Sequence, residues 1–185
     1  MKTGRHYKMT NETIKYDGHT LHRIICTKSF RNVDKGTLGG FIEGYGNLYD
    51  KAWVGDEAKV YDSAVVNGYA SVVGHACVSG SACISGIAIV MDSASVSGCN
   101  TFVGDYARIS NSAIIRSDIA HSVAIRGSAS IRGNAVIESN HDYIVFKNWW
   151  SSGRYFTWTR SNDMWAVGCF YGTGKKLIAK AYRDS

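Results

Sequence analysis

Four arginines near the middle of the chain are, by their type and spacing, the residues best suited to bind an anion. Arg116 and Arg132 each follow an isoleucine, and Arg108 and Arg126 lie close to them in the sequence. Guanidinium groups stacked on one face repel each other unless an anion lies between them, and they bind phosphate or carboxylate through paired hydrogen bonds. The four arginines are therefore candidates for an anion or phosphate site, with extension into water or pairing with Asp118 and Glu138 as the alternative.

A second chemically distinctive group is the mixture of aromatic and basic side chains near the C-terminus. Its members are Lys147, Trp149, Trp150, Arg154, Tyr155, Trp158 and Arg160. Such mixtures stack on nucleic-acid bases or anchor protein interfaces, because an aromatic ring buries a large area and a cation attracts phosphate or carboxylate. A small hydrophobic core is the favoured alternative for these residues, and alternation along residues 155–160 would leave one aromatic face exposed even so.

The elements that must position these residues come from a six-residue repeat between residues 46 and 140. A β-branched residue, or leucine in one case, recurs as an anchor at Leu48, Val54, Val60, Val66, Val72, Val78, Ile84, Val90, Val96, Val103, Ile109, Ile115, Ile119, Ile125, Ile131 and Ile137. Val and Ile favour extended backbone. An alanine usually precedes the anchor by two positions, and side chains at i and i−2 of a strand point to the same side. Each repeat therefore supplies a short strand with one large and one small inward residue.

Residues that favour turns follow most anchors by two positions. They are Asp50, Asp56, Asp62, Gly68, Gly74, Gly80, Gly86, Asp92, Gly98, Asp105, Asn111, Gly127 and Gly133. Gly, Asn and Asp accept the left-handed backbone that a sharp corner requires. One strand with its corner cannot bury its own apolar face, so the repeats must stack as a solenoid of about five coils, with three repeats in each coil.

The repeat is interrupted by one extra residue near position 98 and by a unit two residues short before Ile119. Counting Ile119 as an anchor places Ile115 and Ile131 three repeats apart, on the same face of successive coils. Arg116 and Arg132 would then lie about 4.8 Å apart, the spacing of neighbouring strands.

The segments on either side of the repeats predict smaller modules. In residues 1–45, extended runs flank Asp17-Gly18, a strong hairpin signal. That hairpin would cap the open end of the solenoid, after a loosely attached start at 1–13. In residues 141–185, three predicted strands at 142–150, 154–160 and 164–170, with turns at 151–153 and 161–163, precede a helix capped by Thr173. The predicted fold is mainly β: a parallel β-helix over 46–140 between a hairpin cap and a small α+β module.

The charge, the cysteine content and the hydropathy of the chain argue against a DNA mimic, a metal-binding protein and a membrane protein. The chain has 21 Lys and Arg against 15 Asp and Glu, and the excess lies in the two flanks. Basic flanks are compatible with nucleic acid, a nucleotide or an acidic protein as partner, whereas a DNA mimic would need many more carboxylates. Five cysteines without a CxxC pair fit the reduced thiols of a cytoplasmic protein and predict no metal site. No apolar segment is long enough to span a membrane, so no membrane association is expected.

Several residues predicted to point outward from the coils are apolar. They are Val65, Val73, Ile87, Ile89, Met91 and Ile114. A continuous exposed apolar strip indicates a partner. We expect a homo-oligomer, a dimer or a trimer, whose interface could include Trp149, Trp150 and Trp158. A foreign protein, or the C-terminal module folding back, are the alternatives.

The repeats resemble the hexapeptide repeats of left-handed parallel β-helix proteins, as in residues 80–85, GSACIS. Many members of that superfamily are trimeric acyltransferases that use acetyl-CoA or acyl carrier protein. The segments at 37–43 and 165–173 are similar to those that precede and follow the repeats in small phage and prophage proteins of this kind. The resemblance implies a left-handed coil and a phage accessory protein in the cytoplasm of a bacterial host.

A histidine near a subunit boundary acts as the general base in acyltransferases of this superfamily, which makes His75, or alternatively His121, the candidate catalytic residue. Neither comes with the long loop that usually shapes such a site, and corner histidines that face solvent explain both. We therefore expect no catalytic residue and no cofactor. The leading prediction is a non-enzymatic protein that binds a host protein or small anionic ligand, with inhibition of antiviral defence as one such role. The alternatives are an acyltransferase using acetyl-CoA and a protein that binds nucleotide or nucleic acid.

Overall fold

The first elements of the protein form an antiparallel hairpin that leads into the repeats. The structure, a computed structural model, describes residues 5–150 and 153–183. Its first strands are β1 (Tyr7–Tyr16), β2 (His19–Cys26) and β3 (Leu38–Ile42). Asp17 and Gly18 both have positive φ in the turn between β1 and β2, which confirms the predicted hairpin.

The start of the chain is more firmly attached than its polar sequence predicted. Tyr7 is buried, and its hydroxyl donates a hydrogen bond to the Leu48 carbonyl oxygen at 2.8 Å. The side chains of His6, Phe30 and Trp53 pack against one another beside it. The expectation of a loose segment over 1–13 is therefore wrong from Tyr7 onward, and residues 1–4 lie outside the described part of the chain.

The repeats fold into a solenoid with three parallel walls. In chain order its strands are β4 (Trp53–Val54), β5 (Lys59–Val60), β6 (Val65–Val66), β7 (Ser71–Val72), β8 (Cys77–Val78), β9 (Cys83–Ile84), β10 (Ile89–Val90), β11 (Ser95–Gly98), β12 (Thr101–Val103), β13 (Arg108–Ile109), β14 (Ile114–Ser117), β15 (Val123–Ile125), β16 (Ser130–Ile131) and β17 (Val136–Ile137). The first wall is the sheet β1-β2-β3-β5-β8-β11-β14-β17, the second β16-β13-β10-β7-β4 and the third β15-β12-β9-β6. The hairpin thus continues the first wall beyond the first coil.

The core lies inside the coils, as the repeat predicted. Every anchor except Ile119 has no exposed surface. Leu48, Val66 and Ile84 form one column through successive pairings. A buried Val or Ile contributes roughly 1.5–3 kcal/mol relative to an exposed one, so the stacked aliphatic columns hold the coils together.

The corners also follow the prediction. All the predicted turn residues have φ between 53° and 108°. At several corners an aspartate of one coil accepts a hydrogen bond from the corner N–H of the next, as between Asp56 Oδ2 and Gly74 N at 2.8 Å. These bonds satisfy donors that the sharp turn would otherwise leave unpaired.

The second interruption of the repeat is a loop rather than a short repeat unit. Ile119 is 91% exposed, and Val123 and Ile125 take the inward positions instead, paired with Thr101 and Val103. Equivalent corners are 22 residues apart here instead of 18. Counting Ile119 as an anchor was therefore wrong, and this error shifts the predicted register of the arginines.

The C-terminal module, residues 141–183, is an antiparallel sheet followed by a helix. Its elements are β18 (Tyr143–Lys147), β19 (Tyr155–Thr159), β20 (Met164–Val167), β21 (Phe170–Gly172) and α1 (Gly174–Arg183). Gly168 has a positive φ and turns the chain, so the predicted third strand is in fact a hairpin of β20 and β21. Positions 151–152 of the predicted turn lie outside the described residues. No described helix is long and apolar enough to cross a membrane.

Side chains next to the last coil satisfy its outward backbone donors. Ser130 N donates to Thr157 Oγ1 at 2.9 Å, and Val136 N donates to Ser161 Oγ at 2.8 Å. In return the Tyr143 hydroxyl donates to a last-coil carbonyl oxygen, that of Ala124, at 2.8 Å. The module therefore closes this end of the solenoid through hydroxyl groups rather than by adding a strand.

Candidate functional site

The four candidate arginines lie on three different walls. Ile115 pairs with Ile137, and Ile109 pairs with Ile131. Arg116 therefore lies beside Glu138, whose Oε1 is 2.6 Å from Arg116 Nε. The predicted stacking of Arg116 on Arg132 is wrong, because the loop around Ile119 adds residues to the coil between them.

Arg126 lies on the third wall, away from the other arginines. Its guanidinium lies over the Phe102 ring, 4.1 Å from the ring centroid. A cation over an aromatic face is stabilised by the ring quadrupole. Arg126 therefore has a structural partner within its own wall and takes no part in a shared anion site.

Arg108 and Arg132 do come together, on neighbouring coils of the second wall. They line a shallow cavity of about 250 Å³, which we call the arginine cleft; its walls are formed by Met91, Asp92, Arg108, Ser110, Asn111, Ser130 and Arg132. Arg132 Nε donates to Ser130 Oγ at 2.8 Å, and its Nη2 donates to the Gly168 carbonyl oxygen at 3.1 Å. Among the described residues no carboxylate forms an ion pair with either guanidinium.

The two interruptions of the repeat meet at one corner, between the first and third walls. Gly98 pairs with Ser117 in the next coil, so both longer turns stack there. They border a cavity of about 490 Å³, the corner pocket, lined by Arg116, Ser117, Asp118, His121, Glu138, Ser139 and Asp142. Both irregularities of the repeat therefore modify the same corner of the solenoid.

The corner pocket contains one of the two candidate histidines. His121 Nδ1 is 3.0 Å from Asp118 Oδ1, which also accepts hydrogen bonds from the N–H groups of Ala120 and His121. The His121 N–H and imidazole, in that order, lower the pKa of the Asp118 carboxyl below its usual range. A carboxylate that orients an imidazole is an arrangement suited to general-base chemistry, although both side chains are exposed.

Carboxylates dominate the charge of the corner pocket. Burial opposes ionisation of Asp142, but hydrogen bonds from the backbone N–H groups of Glu138 and Ser139 outweigh it and lower the Asp142 pKa. The Arg116 guanidinium is paired with Glu138. The pocket therefore disfavours an anion.

His75 lies elsewhere, at an exposed corner between the second and first walls. Its backbone N–H donates to the Asp92 carbonyl oxygen at 2.6 Å, as corner residues of this solenoid do. Its ring lines neither of the two cavities described above. The structure thus separates the two candidate histidines and leaves His75 as a corner residue.

The outward apolar residues are spread over the walls instead of forming one strip. Val65 lies on the third wall, Ile89 on the second and Ile114 on the first. Val73 and Met91 follow the strands of the second wall, where they lie in adjacent coils. Ile87 is 45% exposed at a corner. The prediction of one continuous apolar strip, on which the expected interface depended, is therefore wrong. Only a small group on the second wall is contiguous.

The C-terminal module carries a larger apolar surface, which the sequence indicated through its tryptophans. Alternate residues of its sheet turn away from the solenoid, and we call them the aromatic face: Ile144, Phe146, Phe156, Trp158 and Trp165. Phe146 and Phe156 are stacked, with ring centroids 5.2 Å apart and an interplanar angle of 10°. Ile144 is 53% exposed and Phe146 is 47% exposed.

The helix α1 covers part of this module and leaves the rest open. Its main contacts are with β20 and β21. None of its described residues is buried, and Ile178 and Tyr182 are exposed. Trp149 and Trp150, just after β18, are 76% and 99% exposed. Among the described residues, the aromatic face is therefore an apolar sheet surface that stays partly exposed over β18.

A cluster between the hairpin and the first coil was missed by sequence reasoning. His19 Nδ1 is 3.1 Å from Glu43 Oε1, and His19 Nε2 is 3.2 Å from Asp62 Oδ1. The hydrogen bond to Glu43 raises the pKa of His19, and the same bond lowers the pKa of Glu43. The three groups are close enough to hold a metal ion, but both ring nitrogens already face carboxylates. The arrangement matches a charged imidazole that ties the hairpin to the solenoid.

Comparison with known proteins finds no family model that matches the chain and no curated protein that matches it in sequence.

Proposed function

We propose that the protein is a non-enzymatic binding protein whose aromatic face binds an acidic partner protein. The observation that carries the proposal is the exposed apolar sheet surface around Ile144 and Phe146. Exposed apolar patches of this kind mark interaction sites, and aromatic residues dominate the energy of protein interfaces. The solenoid and its closed end support the sheet from behind, which keeps the surface in place without a partner.

Charge favours an acidic partner over a second copy of this chain. Residues 141–185 contain seven Lys and Arg and three Asp, with no Glu. Lys147 Nζ lies 3.8 Å from the centroid of the exposed Trp149 ring, at the end of β18. Two copies joined through this face would bring their basic groups together, whereas a partner with carboxylates around an apolar centre would complement them.

The resemblance to phage hexapeptide-repeat proteins implies that this partner is a protein of a bacterial host. The repeats and the segments at 37–43 and 165–173 support that source, and with it a left-handed coil and action in the host cytoplasm. A phage accessory protein that binds a host protein would act by occupying it, and a component of antiviral defence is one such target. Self-association remains part of the proposal only outside the aromatic face.

The test is capture of the partner from a bacterial lysate by matched variants. Ile144→Glu places a charge in the aromatic face, and Ile87→Glu places one at a corner of similar exposure, 45% against 53%. We expect Ile144→Glu to weaken retention of one specific acidic protein about 30-fold, the loss typical of an interface hot spot of about 2 kcal/mol. Ile87→Glu should retain it. Equal retention by both variants would remove the proposal.

Two further outcomes would identify a different occupant. If nuclease treatment of the lysate abolishes capture, the face binds nucleic acid, for which exposed aromatic rings are also suited. If light scattering shows a dimer that Ile144→Glu converts to a monomer, the occupant is a second copy. Either result contradicts an acidic protein as the partner.

A second candidate function is an acyltransferase, favoured by the His121–Asp118 contact in the corner pocket. It predicts that acetyl-CoA stabilises the protein against heat in a saturable manner and that His121→Ala abolishes transfer. His75→Ala is the control because His75 lines neither cavity. Saturable binding with turnover lost in His121→Ala would replace the leading proposal, and no stabilisation would remove the acyltransferase.

A further inference from the structure

The arginine cleft places two guanidinium groups and two hydroxyls in one small patch. Arg108 lies opposite Ser130 in the parallel register, and the next outward positions are Ser110 and Arg132. The two arginines therefore occupy one diagonal of the patch and the two serines the other. Neighbouring strands are about 4.8 Å apart, so both side chains can reach one ligand.

The positive charge of this patch is not balanced within the described residues. Both hydrogen bonds of the Arg132 guanidinium go to neutral acceptors, the Ser130 hydroxyl and the Gly168 carbonyl. The single carboxylate in the lining, Asp92, uses Oδ2 to accept the Asn111 backbone N–H at 2.8 Å and its side-chain amide at 3.3 Å. The cleft therefore has two guanidinium charges and one carboxylate, which is already hydrogen-bonded to Asn111. Its net charge is positive, so it attracts an oxyanion.

The coil next to Arg108 adds an apolar border. Ile89 lies opposite Arg108, and Met91 follows two positions later beside Ser110. Both are half-buried, and Val73 extends the apolar group into the next coil. A ligand held by its anionic group at the arginines would therefore lay its other end on methyl and thioether groups.

The size of the cleft limits that ligand. Pockets for drug-sized molecules measure about 300–1,000 Å³. The cleft, at about 250 Å³, is smaller and open to solvent. It accommodates an oxyanion with a small organic substituent and leaves a larger molecule mostly in water.

We infer that the arginine cleft binds the phosphate group of a small phosphate monoester whose organic part lies on Ile89 and Met91. Phosphate accepts hydrogen bonds from guanidinium N–H groups and from serine hydroxyls at once, and the diagonal arrangement of Arg108 and Arg132 places both kinds of donor around one point. This site lies on the second wall, so it is separate from the aromatic face and independent of the proposed partner. Arg132 also links it to the C-terminal module through the Gly168 carbonyl.

The test uses phenyl phosphate and inorganic phosphate as probes, by calorimetry at constant ionic strength set with chloride. We expect saturable binding of phenyl phosphate, weaker binding of inorganic phosphate and still weaker binding of benzyl alcohol, which lacks the anion. Arg108→Gln should weaken the binding of phenyl phosphate about tenfold or more, since it removes charge-assisted hydrogen bonds. The matched control Arg126→Gln removes the same charge from the third wall and should have no such effect.

Two more variants separate the parts of the site. Met91→Ala should weaken the binding of phenyl phosphate and leave the binding of inorganic phosphate unchanged. Arg132→Lys should weaken the binding of both, because lysine keeps the charge but loses the planar guanidinium group. Equal effects of Arg108→Gln and Arg126→Gln would show general charge attraction and overturn the site. Equal affinity for both phosphates would overturn the apolar subsite. Ile144→Glu should leave phosphate binding intact, so failure of either proposal can be recognised separately.

Discussion

Replacing Thr157 by valine should loosen the C-terminal module from the solenoid. Thr157 is 1% exposed, and its Oγ1 accepts the hydrogen bond of the Ser130 N–H at 2.9 Å. Valine has nearly the same shape but no acceptor, so the N–H of the last coil is left buried and unpaired. Such an unsatisfied donor costs about 1–3 kcal/mol.

The expected loss is large enough to measure by thermal unfolding. For a chain of this size each kcal/mol shifts Tm by roughly 2–4 °C, so Thr157→Val should lower Tm by roughly 2–12 °C. Four of the five tryptophans, at 149, 150, 158 and 165, lie in the module. Tryptophan fluorescence should therefore report this transition, while circular dichroism follows the strands of the solenoid.

Thr157→Ser is the matched control because it keeps the hydroxyl and loses one methyl group. A buried methylene-sized group contributes about 0.8 kcal/mol, so serine should cost less than valine. If valine proves as stable as threonine, or serine proves the worse substitution, packing rather than the hydroxyl cap holds the module. That result would refute the hydroxyl-capped end of the solenoid.

Other contacts give two further predictions. The His19 ring can donate hydrogen bonds to both Glu43 and Asp62 only when it is protonated, and these contacts raise its pKa. The contribution of His19 to the free energy of unfolding should therefore be complete below about pH 6.5 and be lost as the pH rises through the raised pKa. Urea unfolding across that range should show this fall in the wild type and not in His19→Gln. Gly74→Ala should lower Tm more than Gly127→Ala: both have positive φ, but a Cβ at Gly74 would lie 2.9 Å from a backbone oxygen of the next coil, whereas none of the described atoms lies within 4 Å at Gly127. Equal losses would show that backbone strain alone sets the cost.

The core could be predicted from the sequence because its signal is local and repeated. Each anchor carries its own alanine and turn residue, so Val54, Val72 and Val90 fall into one column by counting alone. Counting fails where a coil changes length. Ile119 has the right residue type for an anchor, but Asp118 caps the N–H groups of Ala120 and His121 and turns the chain outward there.

The sites depended on contacts that the repeat does not specify. Because the register is shifted, Arg132 lies next to Arg108 in the structure and not next to Arg116, as the sequence predicted. His19 meets Glu43 only because the hairpin continues the first wall, which is a tertiary pairing. The tryptophan-rich composition did predict an aromatic surface near the C-terminus, but not that Trp158 and Ile144 would share one face of a sheet.

Amide hydrogen exchange of the protein with and without its captured partner tests the central claim most directly. β18 is an edge strand whose face carries Ile144 and Phe146, so its uncovered amides should exchange quickly in the free protein. The account predicts that the partner slows exchange over Tyr143–Lys147 and Tyr155–Thr159. Unchanged exchange in these strands, with protection confined to the walls of the solenoid, would contradict it.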